Sequence, residues 1–234
     1  MTVIAVVPAR SGSKGFPNKN MARIGGRSLL ELAIQVGADA RLVENVYVST
    51  DSQEYADAAT KAGARIAALR PVALAGDSVK TSTVVVELLR QLRIQDGIVV
   101  LLQPTSPIRT PDDVDEVIRI LERTDVDAVA TVEPLDEPHP EKVKRRNADG
   151  ILESYIPGVS SETPRQQLPP AYRLNGAIYA VRTKVLLEQQ TFLPARTFGH
   201  PIGSGVNIDR EEDFLLLKTL FEMGRVSVYG AQPG

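Results

Sequence analysis

Val3-Ile4-Ala5-Val6-Val7-Pro8-Ala9-Arg10-Ser11-Gly12-Ser13-Lys14-Gly15-Phe16-Pro17-Asn18-Lys19-Asn20 sets an apolar run directly against a polar, glycine-bearing loop. The run Val3–Val7 predicts a buried strand. The loop after it carries Gly12 and Gly15 among Arg10, Lys14, Lys19, Asn18 and Asn20. Glycines let backbone approach a ligand closely, and successive backbone N–H groups beside fixed cations form a concave anion site. A polyphosphate is the anion that suits such a loop, which makes a nucleotide the expected ligand. The loop lacks both the Gly-x-x-x-x-Gly-Lys-Ser/Thr phosphate loop and the Gly-x-Gly-x-x-Gly dinucleotide fingerprint, so P-loop and dehydrogenase readings lose their footing.

Downstream of this loop, strand and helix patterns alternate. Helices are predicted over Arg27–Ala38, Ser52–Ala62, Ser82–Leu92, from Pro111 to Arg123 and over Arg210–Met223. Strands are predicted over Asn45–Ser49, Arg65–Ala68, Gly97–Leu102, Ala128–Val132, Gly176–Val181 and Val226–Tyr229. This alternation predicts α/β architecture: a three-layer, mainly parallel sheet in a single domain. Residues 133–175, proline-rich and carrying the basic run Lys142-Val143-Lys144-Arg145-Arg146, are too long for a simple connection and read as an excursion from the sheet.

The 234 residues are ample for one core. A net charge of −2 gives no bulk attraction to nucleic acid or an anionic membrane surface, so anion binding has to be local. The absence of cysteine excludes disulfides, thiolate nucleophiles and cysteine-based zinc sites. No apolar run approaches a membrane span, and Val3 enters a strand at once, so a cytoplasmic location is expected.

Ligands of open α/β sheets sit beyond the carboxyl ends of the strands. Three polar clusters fall at such ends: the 10–20 loop, Thr50-Asp51-Ser52, and Gln103-Pro104-Thr105-Ser106-Pro107-Ile108-Arg109-Thr110. A fourth, Asn207-Ile208-Asp209, precedes the last helix. Composition alone leaves it open whether the second and fourth are functional or ordinary loop polarity.

Several separated motifs, in order, resemble the CMP-N-acetylneuraminate synthetases, the acylneuraminate cytidylyltransferase family. They are Pro8-Ala9-Arg10-Ser11-Gly12-Ser13-Lys14-Gly15 with Lys19-Asn20, Ser49-Thr50-Asp51, Arg70-Pro71 with Leu74-Ala75 and Asp77, and Leu102-Gln103-Pro104-Thr105-Ser106-Pro107 with Arg109. His139-Pro140-Glu141-Lys142, Arg165-Gln166-Gln167-Leu168-Pro169, Asn175-Gly176-Ala177-Ile178-Tyr179 and Ile208-Asp209 complete the series.

The resemblance implies a Rossmann-like nucleotidyltransferase fold with residues 133–175 as a protruding dimerisation arm. The implied reaction is Mg²⁺-dependent transfer of CMP from CTP to the anomeric hydroxyl of a sialic acid or related 2-keto sugar acid, by a homodimer. Arg10, Lys14 and Lys19 are then expected to hold the triphosphate and stabilise departing pyrophosphate, with Gly12, Ser13, Gly15 and Asn20 lining the same loop. Arg70, Thr81 and Gln103 fall where the family reads the nucleotide. Gln103, Lys142, Arg165, Asn175, Tyr179 and Phe192 are expected at the sugar acid, Phe192 either as an apolar wall or as a core residue. A carboxylate suits a bidentate arginine.

Asp209 is the candidate Mg²⁺ ligand or, alternatively, a helix N-cap. Asn207, the second candidate Mg²⁺ ligand, stands where the family carries Asp, so an amide oxygen would replace a carboxylate and weaker metal affinity is expected. Lys80 also departs from the family's small residue. No residue reads as a general base. Another acceptor for the same transfer (a different nonulosonic acid, an eight-carbon 2-keto sugar acid or a phosphonate) and a non-catalytic nucleotide-binding protein remain the alternatives.

Overall fold

A computed structural model describes residues 1–12, 15–203 and 205–232. Lys14 and Ser13 of the predicted phosphate loop lie outside the described residues. The chain runs β1 (Val3–Pro8), β2 (Arg23–Ile24), β3 (Arg27–Ser28), α1 (Leu29–Asp39), β4 (Asn45–Ser49), α2 (Gln53–Lys61), α3 (Thr81–Leu92) and β5 (Ile98–Leu101). It continues with α4 (Pro111–Arg123), β6 (Ala128–Pro134), β7 (Lys144–Arg146), β8 (Leu152–Ser154), β9 (Tyr172–Arg182), α5 (Thr183–Gln189), β10 (Thr197–Pro201) and α6 (Glu211–Glu222).

The central sheet has six strands in the order β10-β6-β9-β5-β1-β4. β1 pairs parallel with β4 and β5, and β10 pairs parallel with β6. Only β9 is antiparallel to its neighbours β5 and β6, so the other five strands share one direction. The carboxyl ends of β1, β4 and β5 therefore open on one edge of the sheet, where the first three polar clusters follow them.

Side-chain alternation divides the core between the two faces of the sheet. Val3, Ala5 and Val7 of β1 pack with Leu30 and Ile34 of α1 and Val117, Ile118 and Leu121 of α4. Ile4 and Val6 face the other way, onto Val85, Val86 and Leu89 of α3 and Leu186 of α5. The result is the expected three layers. A third cluster joins Ile24, Leu29 and Leu32 to Ile208, Leu217, Phe221 and Val228, seating α6 beside the sheet. Helix starts follow local chemistry: Ser28 and Glu31 form a capping box at α1, Ser52 accepts from Tyr55 N at α2, and Thr110, Pro111 and Asp113 open α4.

Two expected strands are corrected. Arg65–Ala68 contributes a single bridge, Arg65 to Tyr47, because the chain bends away from β4 at Ala67 and Ala68. Val226–Tyr229 forms no strand; Val228 is instead held by burial in the third cluster. The predicted 27–38 helix starts at Leu29, since Arg27-Ser28 pairs with Arg23-Ile24 in a small hairpin. The excursion after β6 holds a separate two-stranded ribbon, β7–β8, with Ile151, Leu152 and Tyr155 exposed on or next to it.

Candidate active site

The loop after β1 is fastened at both ends. Ala9 N donates to Ser49 O, continuing the β1–β4 pairing. Ser11 donates through its backbone N (2.9 Å) and Oγ (3.1 Å) to the two carboxylate oxygens of Asp51. Buried Asn20 donates from Nδ2 to Arg10 O at 3.0 Å, closing the loop on itself. Asp51 thus fixes the start of the loop, and Ser52 beside it caps α2. The second polar cluster is part of the site's scaffold rather than incidental polarity.

The far side of the loop rests on the segment before α6. A Cβ on Gly15 would lie 3.1 Å from Asp209 O, so the residue there has to be small. Lys19 Nζ donates to Ile208 O at 3.2 Å and stands 3.8 Å from the Asp209 carboxylate. The third and fourth clusters are stitched together as well. Ile208 N donates to Thr105 O (2.8 Å), and Ser106 Oγ donates to Asn207 Oδ1 (3.0 Å). Gly176 lies against this joint with φ +74, and a Cβ there would come within 2.7 Å of Ser106 Oγ. Both its conformation and the space demand glycine.

Asp209 is not the helix cap. Arg210 occupies the N-cap position of α6, and Asp213 Oδ2 accepts from both Asp209 N and Arg210 N at 2.9 Å. These backbone N–H groups, Arg210's first, hold the Asp213 carboxyl below its ordinary pKa. The Asp209 side chain is left 72% exposed, with Oδ2 accepting from Asn207 Nδ2 at 3.3 Å.

Between these segments lies a cavity of about 280 Å³. It brings together Arg10, Lys19, Asn20, Arg70, Thr81, Gln103, Asn207 and Asp209 from the sequence-predicted set, together with Asp77. Arg10 Nη1 is ion-paired with Asp77 and 3.4 Å from Ala75 O. Arg70 is anchored to the end of β4: Nη2 and Nε donate to Ser49 O and Oγ, and its backbone N donates to Thr50 O. Burial lowers its guanidinium pKa; Asp51 opposes that shift and the Arg10 charge adds to it.

Apart from Gln103, the predicted sugar-acid residues do not line this cavity. Lys142 Nζ donates to Ser161 O and Thr163 O within the excursion. Arg165 is 63% exposed and stands near Asp136 and Glu137 at 3.9 and 4.0 Å. Asn175 Oδ1 is used inside the fold, accepting from Thr131 Oγ1 and Ala177 N. Tyr179 and Phe192 meet as tilted rings with centroids 6.3 Å apart in the core cluster that also holds Val85 and Leu89 of α3, and burial raises the Tyr179 pKa. Phe192 therefore takes the core position, the second of its two sequence readings. Gly12 also does not line the cavity.

Sequence reasoning missed Asp51 and Asp213 as the groups that hold the loop and the Asp209 backbone, and left Arg109 without a role. Ser-Thr-Asp at a strand end and Asp four residues beyond Asp209 were the available signals.

Residues 4–224 match the cytidylyltransferase family model. CMP-N,N'-diacetyllegionaminic acid synthase of Legionella pneumophila is 31% identical, over 96% of this chain and 98% of that protein. N-acylneuraminate cytidylyltransferase of Streptococcus agalactiae is 28% identical over 92% of this chain, which spans about half (52%) of that longer protein. Among solved structures, CMP:2-keto-3-deoxy-manno-octonic acid synthetase complexed with CTP superposes with a TM-score of 0.73 at 18% identity, covering 96% of this chain and all (100%) of that one. The sheet is thus the Rossmann-like nucleotidyltransferase fold, and the chain belongs to the cytidylyltransferase family of nucleotidyltransferases, in the company of the acylneuraminate cytidylyltransferases that its motifs resemble.

Proposed function

We propose that this protein transfers CMP from CTP to the anomeric hydroxyl of a sialic acid or a close relative among the 2-keto sugar acids. The acceptor oxygen bonds to the α-phosphorus, the bond from that phosphorus to the bridging oxygen breaks, and pyrophosphate departs. The observation that carries the reading is the convergence of Arg10, Lys19, Arg70, Gln103 and Asp209 on one cavity at the carboxyl ends of β1, β4 and β5.

In nucleotidyl transfer a protein mainly positions reactants and neutralises developing charge. Arg10 and Lys19, with Lys14 from the sequence reading, bind the triphosphate and hold charge on the leaving pyrophosphate. Backbone N–H groups of the 10–20 loop add fixed dipoles. Arg70, Thr81 and Gln103 form the nucleoside side of the cavity. The donor set suits Mg²⁺, which takes few carboxylates and completes its shell with phosphate oxygens and water. Asp209 is the more exposed of the two carboxylates that line the cavity, the other being Asp77 in its pair with Arg10, and the described residues hold no cluster of three His, Cys, Asp or Glu that would suit a more demanding metal. Asp209 would hold the Mg²⁺, which would supply charge neutralisation at the α-phosphate and lower the pKa of the attacking hydroxyl.

Lys142 and Arg165 reach the acceptor from a second subunit, with residues 133–175 as the arm that crosses the interface. The exposed Ile151, Leu152, Tyr155 and Tyr172 on or beside this arm support a homodimer. No helix among the described residues is long and apolar enough to cross a membrane.

A different nonulosonic acid as acceptor is the second reading. It is supported by the 31% identical relative's name, which specifies a CMP-N,N'-diacetyllegionaminic acid product, and by Asn207. The test is pyrophosphate release from each of the four NTPs, with and without Mg²⁺, across a panel of nonulosonic, eight-carbon 2-keto and phosphonate acceptors. Release with CTP and one nonulosonic acid is the expected result. No release with CTP and any acceptor overturns the reading.

A further inference from the structure

Arg109 is an arginine in the interior, 3% exposed, just past the turn that follows β5. Its Nη1 donates to three backbone carbonyls: Gln103 O at 2.8 Å, Ser106 O at 2.9 Å and Ala177 O at 2.7 Å. Nε and Nη2 are buried with no hydrogen-bond partner, and no carboxylate pairs with the group among the described residues. Burial alone lowers its pKa to about 9. An arginine taken out of water without a counter-ion, and with N–H groups left unmade, is costly, and apolar replacements of buried charges are often tolerated or stabilising. Stability is therefore a poor explanation for the residue.

The carbonyls it holds suggest another. Gln103 lines the cavity. Ser106 carries the hydroxyl that donates to Asn207 Oδ1, and Asn207 Nδ2 in turn donates to Asp209 Oδ2. Ala177 follows Gly176, which leaves no room for a Cβ against Ser106 Oγ. A single nitrogen thus ties the nucleoside wall of the cavity to the chain of side chains ending at its exposed carboxylate. Carbonyl dipoles stand in for the missing counter-ion.

We propose, resting on the transfer reaction argued above, that Arg109 is a positioning residue. It fixes Gln103 directly and, through Ser106 and Asn207, the Asp209 carboxylate. In this arrangement Asn207 orients Asp209: its oxygen is engaged by Ser106 and its amide by the carboxylate. A carboxylate at position 207 would offer no N–H to Asp209.

The test compares Arg109→Met, Arg109→Lys and Ser106→Ala with the unaltered protein, at a temperature where circular dichroism shows each folded. Two readouts are taken: steady-state kcat and KM for CTP and acceptor, and binding of Mn²⁺ with a non-hydrolysable CTP analogue by calorimetry. Arg109→Met is expected to lower kcat at least tenfold and weaken Mn²⁺ binding severalfold. Arg109→Lys should recover a substantial part of both, because an ammonium also donates to carbonyls. Ser106→Ala should weaken Mn²⁺ binding with little change in melting temperature. A folded Arg109→Met protein with a lower melting temperature but unchanged kcat and Mn²⁺ affinity overturns the proposal. If Arg109→Met fails to fold, unchanged Mn²⁺ affinity in Ser106→Ala overturns it. A protein that transfers CMP to no acceptor defeats the reaction instead, and the two binding readouts still decide the role of Arg109.

Discussion

The proposed nucleotide side and the proposed acceptor side of this site are built differently. The proposed nucleotide side is held within one chain: Ser11 is bonded to Asp51, Arg10 to Asp77, Arg70 to Ser49, and Lys19 to Ile208, so these side chains are already paired. The acceptor side is dispersed. Lys142 and Arg165 sit on an exposed excursion, bonded to their own loop, while Tyr179 and Phe192 belong to the core. Pre-pairing means that few side chains have to be reorganised when a nucleotide binds. On the proposed reading, dispersal leaves acceptor recognition to be completed by a second copy of the chain.

The most severe break in this contrast is expected at the carboxylate. Asp209→Ala removes the proposed metal ligand, the more exposed of the cavity's two carboxylates, and loss of a charge-stabilising element of this kind costs about 10²–10³ in kcat. Asn207→Ala leaves that carboxylate in place and should cost less than about tenfold, measured as kcat at saturating CTP with Mg²⁺ titrated. Equal losses would mean that the two residues share the metal, contrary to the hydrogen bonds of Asn207.

The same contrast explains what the sequence made readable. β1, β5 and β6 are buried and appear as apolar runs, and β4 as the alternating Asn45-Val46-Tyr47-Val48-Ser49, so they are plain from Val3–Val7 to Ala128–Val132. β10 is an edge strand of Thr-Phe-Gly-His-Pro, half polar and bearing Gly and Pro, and it carries no strand signal. The first three residues of β9, Tyr172-Arg173-Leu174, are exposed and look like loop, although they pair with β6. In the site, residue types at strand ends were readable because each loop is chemically unusual by itself. Their partners were not: Ser11 meets Asp51 across 40 positions and Ser106 meets Asn207 across 101, distances over which no local pattern operates. Arg109 was obscure for a related reason, since its burial depends on packing between β5, β9 and the turn.

The acceptor side is tested by the arm. Arg165→Ala should raise KM for the acceptor by about 10–150-fold, the equivalent of ~1.5–3 kcal/mol for a hydrogen bond to a charged group, and leave KM for CTP unchanged. Mixing distinguishes a cross-subunit site from one within a chain. Arg165→Ala and Lys19→Ala proteins, each weak alone, should regain activity when unfolded and refolded together, because a mixed dimer can assemble one intact site. Absence of any recovery, with mixed dimers demonstrated by mass, would place both halves on one chain and dissolve the contrast.

The smallest expected effect lies on the nucleotide side and bears on how complete its pre-pairing is. Asp77 lines the cavity and pairs with Arg10, so a triphosphate has to compete with a carboxylate for that guanidinium. Both side chains are more than 30% exposed (31% and 40%), and a pair of that kind is worth only ~0.2–1 kcal/mol. Asp77→Asn keeps the shape, removes the charge and should tighten CTP binding by about two- to fivefold in calorimetry at low ionic strength, with the gain shrinking as salt screens the pair. Weaker CTP binding in the variant would show the opposite: that Asp77 orients Arg10 for the phosphates, and that the unliganded pairing is the binding-competent arrangement rather than a competitor to it.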